Sequence, residues 1–177
     1  MNKAVIIILL ILLFSVVGIS RNINSINPIL KSPVNPFIWR KDDRGEPHFG
    51  ANRGTRTHRG IDGETVKFQS VFSPLSGLIT KIGTVYKDTS KYKYIEITGE
   101  NELSNIKVRL HYVSILGWIK KGSYVSVGEE IGQMQDVSEK HNAPEKAVML
   151  PHIHIEVIEN GVYVNPVPFF GFNDNYV

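Results

Sequence analysis

Residues 152–158 of the chain, His-Ile-His-Ile-Glu-Val-Ile, alternate between polar and apolar side chains. Such alternation predicts a β-strand, in which every second side chain points to the same face. His152, His154 and Glu156 would therefore lie side by side on one face, while the apolar residues between them face a core. The segment predicts a half-buried strand that presents two neighbouring imidazoles.

Short strands and turns recur through the body of the chain. Alternating or glycine-punctuated segments occur at residues 71–83, 92–97, 106–113, 121–132 and 152–164, the last with a tight turn at Asn160-Gly161. Residues 138–149 are polar, contain Pro144 and predict a surface loop that could include one helical turn. The predicted fold class is all-β, a small barrel-sandwich or two-sheet domain, preceded by an N-terminal hydrophobic helix.

The composition of the 177 residues fits one folded domain and excludes several kinds of site. Hydrophobic residues make up 42% of the chain, which is enough for a packed core. Cysteine is absent, so any metal must bind His, Asp or Glu, and a disulfide framework is excluded. The net charge of +3 is compatible with binding to an acidic polymer but does not indicate which one. The basic residues form no stripe along the sequence, which disfavours nucleic-acid binding.

Residues 4–20 form an uncharged apolar run between two basic residues. Its length falls between the core of a signal peptide, about 7–15 residues, and a membrane-spanning helix of about 20. Residues 1–25 are therefore interpreted as a signal peptide or a membrane anchor, and both alternatives place the rest of the chain outside the cytoplasm. Prolines predict an extended tether at residues 26–40, which leaves residues 41–177 as the folded domain.

Two histidine motifs offer candidate metal ligands. His58 and Asp62 are four residues apart in a glycine-containing segment, and imidazole and carboxylate both bind Zn²⁺. Taken alone, each motif also fits an ordinary structural role, because short motifs match by chance. Together, His58, Asp62 and His154 would supply three ligands and leave a position for water, the pattern of a catalytic zinc. His111 and His152 would remain as uncoordinated imidazoles for proton transfer and oxyanion stabilisation.

The order of these motifs resembles the lysostaphin-type zinc metallopeptidases, which cut peptide cross-links in bacterial peptidoglycan. The resemblance covers residues 48–170. Its motifs are, in chain order, His-x-x-x-Asp at 58–62, Phe-Ser-Pro-Leu-Ser-Gly at 72–77, a strand histidine at 111, His-x-His at 152–154 and Val-Asn-Pro-Val at 164–167. Several motifs in the family's order are far more specific than any one of them.

The resemblance implies a role for each matched residue. The implied zinc ligands are His58, Asp62 and His154, the implied catalytic histidines are His111 and His152, and the implied residues of the substrate groove are Asn52 and Arg53. His48 and His141 match no motif and are expected on the surface. Residues 136–150 depart from the family, because they are longer and more charged than the short loop usually found before His-x-His.

These features predict an exported, monomeric zinc endopeptidase that hydrolyses cross-links or stem peptides of peptidoglycan and attaches to the membrane if residues 1–25 are not cleaved. The alternative is a zinc-stabilised, non-catalytic module of the same fold that binds cell wall or protein. Some relatives of that kind have lost a catalytic histidine, and the presence of His111 favours an enzyme. A carrier domain is disfavoured, since the hairpin at residues 121–132 places no lysine at its tip. The sequence does not distinguish between glycine bridges and D-alanyl–diaminopimelate links as the bond that is cut.

Overall fold

The computed structural model describes residues 28–143 and 148–176. The strands are β1 (Ile38–Trp39), β2 (Ile61–Glu64), β3 (Ser70–Phe72), β4 (Gly77–Thr84), β5 (Lys93–Gly99), β6 (Ile106–His111), β7 (Val113–Ile115), β8 (Tyr124–Val125), β9 (Glu130–Met134), β10 (His152–Glu159) and β11 (Val162–Val164). Two short helices, α1 (Ser138–His141) and α2 (Val167–Phe170), and a 3₁₀ turn at Asn101–Leu103 complete the elements of these residues. The prediction of an all-β domain is confirmed for this part of the chain.

The predicted N-terminal hydrophobic helix lies outside the described residues, as does the boundary proposed at residue 25. Within residues 28–143 and 148–176, no helix is both long and apolar enough to cross a membrane.

The strands form two antiparallel sheets. The larger has the order β1-β2-β10-β6-β5-β4-β8, and β11 pairs with the far part of β10. The smaller has the order β3-β9-β7. The long strand β10 therefore lies inside the larger sheet, with β2 on one side and β6 on the other.

The core is built from the apolar residues that alternate along the central strands. Ile153, Ile155 and Val157 of β10 are fully buried, as their spacing predicts, and Val108 and Leu110 of β6 are buried with them. Because successive side chains of a strand point to opposite faces, the polar residues of β6 and β10 project from the other face of the sheet. The predicted row of imidazoles lies on that face.

Two glycines meet specific local demands. Gly161 has φ +83° and forms, with Asn160, the tight turn that the sequence predicts between β10 and β11. Gly60 lies against β10, where an added Cβ would be 2.2 Å from the carbonyl oxygen of Ile155. Since no side chain fits that gap, glycine at this position lets the loop that carries His58 approach β10 closely.

The segment before β2 differs from the tether predicted for residues 26–40. Over its described length, residues 28–40, it packs against the domain: Leu30 and Val34 are buried in the core, and Trp39 in β1 pairs with β2. Proline prevents a regular helix here but does not prevent an extended chain from burying its apolar side chains. Residues 28–40 are therefore part of the folded domain.

The charged segment before β10 folds back over neighbouring loops. Glu139 in α1 forms ion pairs with both Lys67 and Lys91. The side chain of Asn142 both donates to and accepts from the backbone of Met149, which closes the base of the loop. Exposed ion pairs contribute little free energy, so these contacts mainly orient the segment. The helical turn predicted in this segment is present as α1, and residues 144–147 of the predicted loop lie outside the described residues.

Candidate metal centre

The register of three strands brings the predicted site residues together. On β10, His154 lies opposite Asp62 of β2 and also opposite His111 of β6. Residues directly opposite each other in antiparallel strands have Cβ atoms about 4.5–5.5 Å apart on the same face. His58 reaches the same point from the loop that precedes β2.

Three donor atoms face one another in this cluster, namely Nε2 of His58, Oδ1 of Asp62 and Nδ1 of His154. Nε2 of His58 is 3.2 Å from Oδ1 of Asp62 and 3.0 Å from Nδ1 of His154, and the last two atoms are 2.9 Å apart. Ligand atoms bound to a tetrahedral zinc at about 2.0–2.1 Å are about 3.3 Å from one another. The triangle is close to that size, so the residues fit a zinc ion.

Backbone carbonyls fix the orientation of two of the imidazoles. Nδ1 of His58 donates a hydrogen bond of 2.8 Å to the carbonyl oxygen of His48, which leaves Nε2 for a metal. Nδ1 of His152 donates in the same way to the carbonyl oxygen of Leu150 at 2.8 Å, which leaves its Nε2 as a proton acceptor. Each ring is therefore held with one defined nitrogen available.

His154 is oriented by a carboxylate behind it. Its Nε2 donates to Oε1 of Glu156 at 3.3 Å, while its Nδ1 faces the other donors. Glu156 is itself held by Arg109, whose Nη1 lies 2.9 Å from Oε2, and Arg109 also binds Glu96 at 2.7 Å. Burial disfavours a charged imidazole, but hydrogen bonds to Asp62 and Glu156 outweigh it and raise the pKa of His154 to about 9.

The two oxygens of Asp62 have separate partners. Oδ1 faces the two imidazoles, whereas Oδ2 accepts a hydrogen bond from Arg53 and forms an ion pair with Arg40, each at 3.1 Å. Burial alone would raise the pKa of this carboxyl, but the nearby His152 and the hydrogen bonds from His154 and His58 hold it well below its ordinary value. Asp62 is therefore an ionised ligand with one oxygen directed at the centre.

His111 and His152 flank the centre without joining the donor triangle. Burial lowers the pKa of His111 to about 4, against the pull of the Glu156 carboxylate 3.5 Å away. Burial also lowers the pKa of His152, against the pull of Asp62. Both imidazoles are therefore neutral at pH 7 and able to accept a proton.

A second donor set shares one residue with the first. His111, His154 and Glu156 also converge closely enough to hold an ion. However, the Arg109 guanidinium already binds Glu156 and places a positive charge beside that set. The chemistry therefore favours the triangle of His58, Asp62 and His154 as the metal site.

The centre lies at the bottom of an open groove of about 480 Å³. The sequence prediction missed several residues that line it: Arg40, Arg44 and Arg56, and the aromatic residues Tyr86, Tyr112 and His141. Arg53 lines the groove as expected, whereas Asn52 is exposed and is not among the lining residues. The Asn52 side chain accepts a hydrogen bond from the backbone of Gly54.

Two aromatic residues of the groove are placed there by features that the sequence patterns do not show. Tyr112 follows His111, the last residue of β6, and the chain turns at Tyr112, where φ is +64°. This turn places its ring 5.3 Å from that of His152. His141, expected on the surface, lines the groove and hydrogen-bonds the Tyr86 hydroxyl at 2.8 Å. The unusual length of the segment before β10 was the only sequence signal that pointed to His141.

His48 also differs from its prediction as a surface residue. It is half-buried, its ring stacks on Tyr176 at 4.7 Å, and its carbonyl oxygen orients His58. No local pattern around His48 indicated this contact, because Tyr176 comes from the other end of the chain.

The fold is a β-domain, and its groove holds three donor atoms that could bind a metal ion, with two further imidazoles beside them. Residues 56–166 match the sequence model of peptidase family M23. The chain belongs to this family, whose members are zinc-dependent peptidases. The resemblance to lysostaphin-type enzymes is therefore confirmed at the level of the family. A comparison with curated proteins finds no match.

Solved structures of low sequence identity share the fold. Csd3 of Helicobacter pylori is 23% identical, with a TM-score of 0.55, over 82% of this chain and 36% of that one. The catalytic domain of the antimicrobial peptidase lysostaphin from Staphylococcus simulans is 20% identical, with a TM-score of 0.53, over 75% of this chain and 93% of that one. A zinc-containing peptidase from Vibrio cholerae is 20% identical, with a TM-score of 0.52, over 80% and 39%. The chain thus spans little more than a third of the Csd3 chain.

Proposed function

We propose that this protein is an exported zinc endopeptidase that hydrolyses peptide bonds in peptidoglycan. One observation carries the proposal: the groove holds an open three-donor metal site, His58, Asp62 and His154, together with two neutral, uncoordinated imidazoles, His111 and His152. A binding module needs the metal site at most, whereas amide hydrolysis also needs groups that move protons. Membership of family M23 and the fold shared with lysostaphin support the same conclusion.

The roles of the histidines follow from their pKa values and neighbours. A zinc ion held by the three ligands would polarise the scissile carbonyl and lower the pKa of water to about 7. His111 and His152 are both neutral bases. One of them takes the proton of the attacking water, and an imidazolium then gives a proton to the leaving amine. A carboxylate lies near each imidazole and stabilises its protonated form: Glu156 for His111 and Asp62 for His152.

The location of the enzyme forms part of the proposal. The apolar run at residues 4–20 supports a signal peptide or membrane anchor in residues 1–25 and a domain outside the cytoplasm, which we propose to be monomeric. A peptidase of this family outside the cytoplasm would have access to peptidoglycan as its substrate.

The proposed function is tested by removing each free imidazole. His111→Ala and His152→Ala should each keep one zinc per chain, because neither ring belongs to the donor triangle. Each should lower the rate of peptidoglycan hydrolysis by at least about 100-fold, the usual scale for a general acid–base group. Zinc content, melting temperature and new amino termini released from purified peptidoglycan are measured for the wild type and for both variants.

The same measurements separate an enzyme from a binding module. If the zinc-loaded wild type binds peptidoglycan but releases no new amino termini, the protein is a zinc-stabilised binding domain. If it releases them and neither substitution changes the rate, hydrolysis does not depend on these histidines and the mechanism is wrong.

A further inference from the structure

We infer that the groove selects peptides that carry a free carboxylate beside the scissile bond, and that Arg44 and Arg56 bind this carboxylate. The inference rests on the proposed peptidase function and names the class of its substrate. It starts from the basic lining of the groove, which contains four arginines beside the metal centre, Arg40, Arg44, Arg53 and Arg56.

Two of these arginines are already used by the site itself. Arg40 and Arg53 both bind Oδ2 of Asp62 at 3.1 Å. Arg40 also binds Asp42 and the carbonyl oxygen of Gly45. These two guanidiniums orient and balance the metal-ligating carboxylate, and their unpaired donors, Nε of Arg40 and Nη1 of Arg53, are buried.

Arg44 and Arg56 are not needed for that role. Within the part of the chain that the structure describes, neither guanidinium forms a hydrogen bond or an ion pair: the contacts of these residues are made by the backbone nitrogen of Arg44 and the backbone oxygen of Arg56. Arg44 is half-buried and Arg56 is exposed. Two unpaired guanidiniums therefore line the groove beside the pair that holds Asp62.

Among residues 28–143 and 148–176, the acidic residues near the groove do not neutralise this surplus. Asp42 is bound to Arg40, and Asp43 and Glu46 belong to the same loop but are not among the residues that line the groove. Glu156 does line it, but Arg109 already binds that carboxylate. A divalent cation at the metal site would add further positive charge. The groove thus carries a net positive field that an anionic ligand group relieves.

A carboxylate matches these groups better than a neutral peptide does. Guanidinium presents parallel N–H donors that fit the two oxygens of a carboxylate, and such charge-assisted pairs are the stronger hydrogen bonds of proteins. A cross-link made only of glycine carries no charge beside its scissile bond. A stem peptide with a free α-carboxylate on the residue that donates the scissile amine carries one at that position. The two unpaired arginines therefore favour cross-links of the acidic kind.

The test uses two synthetic peptides that are identical except for one group: the carboxylate beside the scissile amide is free in one and a carboxamide in the other. We expect the zinc-loaded wild type to cleave the acidic peptide with a kcat/KM at least about 10-fold higher, the effect of about one charged hydrogen bond. The R44Q/R56Q double variant should lose this preference, so that its kcat/KM values for the two peptides become equal.

Lys121→Gln provides the matched control, because Lys121 is exposed, does not line the groove, and its replacement removes one positive charge from the chain. This variant should keep the full preference. Melting temperatures should match the wild type for all variants, because these side chains form no hydrogen bond or ion pair among the described residues. Equal cleavage of the two peptides by the wild type would overturn the inference, as would an unchanged preference in R44Q/R56Q.

Binding of the same two peptides to the zinc-loaded protein, measured by fluorescence anisotropy, separates this inference from the proposed function. Cleavage of both peptides without preference leaves the peptidase function intact and refutes the carboxylate site. Preferential binding of the acidic peptide without any cleavage supports the carboxylate site and refutes the peptidase function. Absence of both cleavage and preferential binding refutes both.

Discussion

Replacing Glu156 should weaken zinc binding although Glu156 is outside the donor triangle. Its Oε1 accepts the hydrogen bond from Nε2 of His154 at 3.3 Å, and this bond directs Nδ1 of the same ring towards His58 and Asp62. Arg109 holds the carboxylate in place from the other side at 2.9 Å. Without Glu156 the imidazole of His154 loses the partner that fixes its tautomer and rotation.

The expected size of the effect follows from the role of this bond. Removing the outer partner of a metal-bound histidine typically costs about 10- to 100-fold in metal affinity, or about 1.4–2.7 kcal/mol. Glu156→Gln retains an oxygen that can accept from His154, so we expect a loss near 10-fold. Glu156→Ala removes the acceptor, so the loss should approach 100-fold.

The zinc dissociation constant is measured by competition with a chromophoric chelator at fixed pH, and the melting temperature of the metal-free protein is measured separately. Glu96→Gln is the matched control, since Glu96 binds the same Arg109 at 2.7 Å but forms no hydrogen bond or ion pair with His154 among the described residues. It should lower stability as Glu156→Gln does and leave zinc affinity unchanged. An unchanged affinity in Glu156→Ala, or an equal loss in Glu96→Gln, would refute the orienting role.

Two further predictions concern the ligands themselves. Asp62→Ala should abolish stoichiometric zinc in elemental analysis, because it removes one of three ligands and the negative charge between two imidazoles; retention of one zinc per chain would show that the site is assigned wrongly. Zinc binding should also release about one proton at pH 7.5, because the pKa of metal-free His154 is raised to about 9 and Nδ1 must lose its proton to bind the ion. Protons therefore compete below pH 9, and the apparent association constant should fall about tenfold for each unit of pH between 8 and 7. Calorimetry in buffers of different ionisation enthalpy gives the number of protons, and a value near zero would contradict the linkage.

Local patterns in the sequence predict many of the residues of the site. Alternation along residues 152–158 is enough to place His152, His154 and Glu156 on one face, because the period of a strand depends only on the backbone of that strand. The spacing of His58 and Asp62 predicts a metal-binding pair for a similar local reason: the turn that joins them is short and contains glycine.

Long-range packing determines which residues of neighbouring strands face each other, and local patterns do not predict this. That His154 faces both Asp62 and His111 depends on the register of β10 with β2 and β6, and register is set by the whole buried face of the sheet. The alternation of β6 ends at His111 because the next residue, Tyr112, has a left-handed backbone conformation between β6 and β7.

The contacts that tune the centre come from still more distant segments. The arginines around Asp62 were not predicted as a group, because Arg40 is the last residue of the segment expected to be a tether and meets Asp62 only where β1 pairs with β2. In the same way, His141 reaches the groove on a charged segment that is held by ion pairs to distant loops. The sequence alone determined the strands and the ligand types, since these depend on neighbouring residues. The partners of each ligand and the charge of the groove were decided by the tertiary structure, since they depend on segments that meet only when the two sheets pack.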